Sequence, residues 1–74
     1  MHKLFSIRIK WLDDASELDV LVAESNSIND LPEGYTDEDI FFYGMSETAI
    51  QRAMVSGEPC ENEWLITRFY GEVS

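Results

Sequence analysis

The stretch IFFYGMSETAIQRAMVSGEPCENEWLITRFY, Ile40 to Tyr70, holds three elements in succession. Ile40–Met45 is a short, continuous, aromatic-rich apolar run. Its length suits a strand with apolar groups on both faces: Ile40 and Phe42 on one, Phe41, Tyr43 and Met45 on the other. A helix over 46–56 comes next. Ser46 is placed to cap it, Glu47 lies in its first turn, and Met45 and Ile50 are spaced as a hydrophobic staple. Ile50, Ala53 and Met54 form a buried stripe at i, i+3, i+4 spacing. Gly57 stands where a left-handed C′ residue belongs, and Pro59 prevents continuation. Trp64–Tyr70 then reads as a strand that can extend to Val73. The connection is long enough for a parallel crossover, and the antiparallel return remains open.

Upstream, Lys3–Leu12 alternates strictly. Phe5, Ile7, Ile9 and Trp11 share one face, and Ser6, Arg8 and Lys10 share the other, as in a strand with one buried side. Leu18–Glu24 has two readings. Asp14 and Glu17 resemble a capping box, which makes Ala15, Leu18, Leu21 and Val22 a helical stripe. Val20 and Val22 favour a strand instead. As a strand it pairs face to face with the first if Trp11 opposes Val20 and Ile9 opposes Val22. Asp14–Glu17 is then a four-residue hairpin loop. Ser25–Asp39 is the irregular part. A helical turn is expected over Ser27–Leu31 and a tight turn at Pro32-Glu33-Gly34, with Ile28, Leu31 and Tyr35 pinning the loop to the body.

These elements predict one α+β domain over residues 1–74. Its sheet has three or four strands, largely antiparallel, with the helix on one face. The expected core is Phe5, Ile7, Ile9, Trp11, Val20, Val22, Ile40, Phe42, Ile50, Ala53, Met54, Leu65 and Phe69. A single helix covers one face of such a sheet. The other face must be met by the Ser25–Asp39 loop, by a second copy, or by a different partner.

Charge is distributed unevenly. The 74 residues net −10. Between Trp11 and Gln51 stand eleven carboxylates and no lysine or arginine. A one-signed surface selects partners by sign, and here it opposes direct contact with nucleic acid or anionic lipid. Asp13, Asp14, Glu17, Asp37, Glu38 and Asp39 are read as an acidic rim. Asp19 is expected among the neighbours of Arg8 and Lys10 across the hairpin, partly compensating them.

The chemistry-bearing residues are few. Cys60 is the only cysteine, so an internal disulfide is ruled out. With His2 as the only histidine, a four-ligand zinc site is also out of reach. His2 reads as an exposed terminal side chain. Cys60 lies among Glu58, Glu61 and Glu63, which raise a thiol pKa and make a poor nucleophile. No EF-hand loop or phosphate-cradling glycine motif is present. No catalytic residue, cofactor or metal is therefore expected. The N-terminus reads as neither a leader nor a membrane span, and the free cysteine suggests the cytoplasm. The expected function is a non-enzymatic protein-interaction module. It associates with itself, as a homodimer for example, or with another protein through an apolar sheet face. Phe41, Tyr43, Trp64 and Tyr70 are its candidate anchors. The alternative is an acidic inhibitor that mimics DNA to a nucleic-acid-binding protein.

Overall fold

A computed structural model describes residues 3–73. Four strands and one helix run in the order β1 (Leu4–Trp11), β2 (Glu17–Ala23), β3 (Phe42–Tyr43), α1 (Glu47–Ser56) and β4 (Trp64–Val73). The chain has an α+β fold. Its single sheet is mixed, in the order β3-β2-β1-β4. β1 pairs antiparallel with β2 and with β4, and β3 pairs parallel with β2. β3 and β4 therefore run the same way at opposite edges, and the chain between them crosses β2 and β1. That is a βαβ crossover with two strands between its ends.

β1 is the central long strand because its alternation suits a sheet with one buried side. Phe5, Ile7 and Ile9 are fully buried. They share a core with Val22, Met45, Ile50, Trp64 and Ile66. α1 supplies the cover. Ser46 caps it by accepting a hydrogen bond from the Ala49 N–H, and Gly57 ends it at φ 69°. Of its expected stripe, Ile50 is fully buried while Ala53 and Met54 pack more loosely against the core.

The hairpin register differs from the expected one. Phe5 opposes Val22, Ile7 opposes Val20 and Ile9 opposes Leu18. Both registers keep the same residues on the same faces, because they differ by an even number of positions. Apolar pattern alone cannot choose between them. Turn chemistry does. Trp11 N–H donates to the Ser16 carbonyl at 2.9 Å, and Ala15 N–H donates to the Trp11 carbonyl at 3.0 Å. The Asp14 carboxylate accepts from the Ser16 N–H at 3.0 Å and from its hydroxyl at 2.7 Å. These bonds, the backbone one first, hold the Asp14 pKa below the usual value. Ala15 takes a left-handed conformation, φ 60°. The loop is thus Leu12–Ala15, and Glu17 moves out of it onto β2.

β4 departs from the expected phase. Trp64 and Ile66 face the core, and Leu65 faces away. Thr67 is then an extra residue between the pairs Ile9–Ile66 and Arg8–Arg68. Tyr70 is another, between Ile7–Phe69 and Ser6–Gly71. The first bulge shifts the alternation and returns Phe69 to the core side. Leu65 and Phe69 therefore do not share a face, as period-two reading requires.

The apolar run also resolves differently. Only Phe42 and Tyr43 form a strand, and it lies at the sheet edge. Phe41 and Phe42 both turn to the core and flank Trp64, with ring centroids 5.1 and 5.5 Å away in edge-on geometry. A bend at Phe41 precedes the strand, and another at Gly44 follows it. The Gly44 φ is 80°, and a Cβ there would collide with the side-chain amide of Asn26. In the preceding loop, Ser27 caps a 3₁₀ turn, Ile28–Asp30. Tyr35 N–H closes the Pro32 turn at 3.2 Å. Leu31 and Tyr35 are half-buried, whereas Ile28 is exposed and pins nothing.

The packing predicts a sharp contrast within α1. Ile50→Ala should lower unfolding free energy by about 2–5 kcal/mol, the usual loss for a fully buried isoleucine. Val55→Ala, at a position 88% exposed, should stay within about 0.5 kcal/mol. Urea unfolding followed by tryptophan fluorescence measures both.

Candidate interaction surface

The four candidate anchors do not form one surface. Trp64 is 2% exposed and belongs to the core. Phe41 is half-buried between Trp64 and Trp11, meeting Trp11 edge-on at 5.9 Å. Tyr43 is half-buried, and its hydroxyl donates to Asp37. Lost hydration and then the neighbouring carboxylate push its pKa up to about 12. Tyr70 lies on the opposite face of the sheet. Its hydroxyl donates to Asp19 at 3.1 Å.

That opposite face is polar rather than apolar. The register places Arg8, Lys10, Glu17, Asp19 and Arg68 on it, with Ser6, Leu21 and Leu65 between them. Arg8 donates to both carboxylate oxygens of Asp19, at 2.8 and 3.3 Å. Both Arg8 and Arg68 lie over the Tyr70 ring, 5.9 and 5.2 Å from its centroid. Lys10 faces Glu17. Only the far end is closed, where Leu4 and Ala23 oppose each other and are fully buried. The run that was to supply an apolar second face turned the rings of Phe41 and Phe42 into the core, which leaves Leu21, Leu65 and Tyr70 as the apolar groups among these charges. Arg8, Lys10 and Arg68 are thus set among Glu17 and Asp19 on this face, with Glu38 and Asp39 at its border.

The acidic rim divides in two. Asp13 and Asp14 sit at the hairpin tip. They border a hollow of about 540 Å³ with Trp11, Leu12, Asn62 and Glu63. Asp37, Glu38 and Asp39 form a 3₁₀ turn, closed by hydrogen bonds from Thr36 N–H and its hydroxyl to the Asp39 carboxylate. This turn stands beside β2. Glu38, Asp39, Ile40 and Phe41 there join Asp19, Val20, Leu21 and Ser6 around an open groove of about 510 Å³. Sequence distance hid the convergence: nothing in the spacing of Asp19 and Asp39 brings them together.

The edge of β2 was also missed. β3 pairs only with Val22 and Ala23, and Phe41 N–H donates to the Leu21 carbonyl at 2.8 Å. Beyond that the outer edge has no neighbour strand among the described residues. The hairpin bonds set the phase. Ser16 and Glu24 bond to β1 at its two ends, so in antiparallel pairing the even residues between them face β1. The backbone groups of Glu17 and Asp19 therefore point outward. Leu18 lies beside them, 50% exposed on the core side of the sheet.

His2 lies outside the described residues. Cys60 is half-buried, and its pKa is raised by burial first and by Glu61 second. Among the described residues no three His, Cys, Asp or Glu side chains are grouped to hold a metal ion. No helix among them is long and apolar enough to cross a membrane. The chain matches no known protein family, no curated protein and no solved structure.

Arg8, followed by Tyr70, holds the Asp19 pKa below the ordinary 3.8. A depressed folded-state value means the pair stabilises the fold above the ordinary aspartate range. That contribution disappears as pH falls through the lowered value. An NMR titration should find Asp19 titrating below 3.8, and Arg8→Met should move its midpoint upward.

Proposed function

We propose that the chain is a non-enzymatic protein-interaction module whose partner is another protein. The observation that carries this reading is the half-empty edge of β2. A strand edge with unpaired backbone donors and acceptors is a template for further pairing, and here it borders a groove rather than a flat surface. The opposite edge of the sheet is guarded. β4 begins against Cys60, whose N–H donates to the Trp64 carbonyl at 2.7 Å. Its two bulges and Arg68 then interrupt regular pairing. β2 pairs with β1 without any bulge.

Self-association through the sheet face draws no support from this arrangement. Two such faces brought together would oppose Arg8, Lys10 and Arg68 with their own copies. The DNA-mimic reading needs carboxylates along one ridge. The acids instead lie at the hairpin tip, the β2 edge, the start of α1, the turn before β4 and the end of β4. A thiol with a raised pKa and carboxylates bound to neighbouring hydroxyls and arginine suit a binding surface better than a reactive one. The single free cysteine supports a cytoplasmic setting.

Affinity capture from the source cell, at low and high salt, tests the reading. It should retain a protein partner at low salt and release it as salt rises, because exposed charges are screened. Light scattering should find the purified chain monomeric. Capture of nothing at either salt, or a stable homodimer, would sink it.

A further inference from the structure

We infer that the vacant edge of β2 accepts an extended segment of the partner as an added strand, with basic and apolar residues in alternation. This inference rests on the interaction-module reading and names the chemistry of the partner. An added strand continues the line that β3 occupies beside Val22 and Ala23. It would satisfy the outward N–H and C=O groups of Glu17 and Asp19.

The two sides of that edge differ, and the difference specifies the alternation. Successive side chains of a strand point to opposite faces. On one face an incoming side chain enters the groove between Asp19 and the turn bearing Glu38 and Asp39. Asp19 is already matched by Arg8, so Glu38 and Asp39 supply the uncompensated negative charge. A lysine or arginine fits there. On the other face the open neighbour is Leu18, next to Val20, which already packs against the core. Leu18 is half-exposed for a residue in phase with the core, and an aliphatic side chain would cover it. A second copy of β2 is a poor occupant, since its own edge brings Glu17 and Asp19 against the same acids.

The test uses a short, end-capped peptide of alternating lysine and valine, titrated into the isotopically labelled chain. Expected are slowed amide hydrogen exchange at Glu17 and Asp19 and chemical-shift changes at Leu18 and Glu38. Two N-methylated versions carry methyl groups on alternate amides, in opposite phases. Only the phase facing β2 should be harmful, weakening binding at least about tenfold, equivalent to about 1.4 kcal/mol. Glu17→Pro removes one outward N–H without removing a bond to β1, and should weaken binding in a chain that circular dichroism shows to be folded. Glu38→Lys should weaken it severalfold. Equal binding by both N-methylated peptides would overturn strand addition and leave simple charge attraction, with the interaction-module reading intact. Shifts confined to other surfaces, or no binding, would overturn it as well. The interaction-module reading itself fails only if capture retains nothing or light scattering finds a stable homodimer.

Discussion

Every other element is arranged around the need to keep Phe5, Ile7 and Ile9 away from water. Burying each is worth roughly 1.5–3 kcal/mol, a large part of what a domain this small can muster. β1 offers them on one side only, so it requires a neighbour on each edge and a layer above. β2 and β4 supply the neighbours. α1 supplies the layer through Ile50, and Met45 and Trp64 close its borders. The aromatic rings form the rim of this core. Phe41 and Phe42 stand edge-on to Trp64, and Trp11 stands edge-on to Phe41, the geometry in which aromatic pairs gain about 0.5–1.5 kcal/mol beyond burial.

The same demand explains what is left uncovered. α1 packs chiefly on the β4 side of the sheet, and β3 is only two residues long. The lower half of β2 therefore receives neither a helix above it nor a strand beside it. Leu18 is exposed there although it keeps the phase of the buried valines. The charged groups of the opposite face are satisfied among themselves: Arg8 with Asp19, Tyr70 with Asp19, and Arg68 over Tyr70. The open positions of the sheet thus lie at its edge rather than in its middle.

The readings that survived rest on local physics. The helix ends follow from Ser46 and Gly57, β1 follows from its alternation, and the 3₁₀ turn at Ile28–Asp30 follows from the Ser27 cap. The readings that failed depend on events that leave no periodic trace. A bulge at Thr67 exchanges the roles of Leu65 and Trp64, so an expected anchor became core. The hairpin turned at Leu12–Ala15, where Asp14 binds Ser16, and slid the pairing while keeping every face. The rings of Phe41 and Phe42, neighbours in sequence, both found the core because the chain bends at Phe41 before the short strand begins.

The sequence by itself determined the α+β class, the helix with its caps, the buried side of β1 and the placing of Asp19 on the same face as Arg8 and Lys10. Each depends on residues within a few positions of one another, or on one face-matched strand pair. Only the tertiary structure decided that β3 is a parallel stub at the sheet edge. It also decided that the free face is polar, and that Glu38 and Asp39 meet Asp19 beside an open edge. Those outcomes depend on how the crossover, the bulges and the loop share a single small core, and no local pattern records that division.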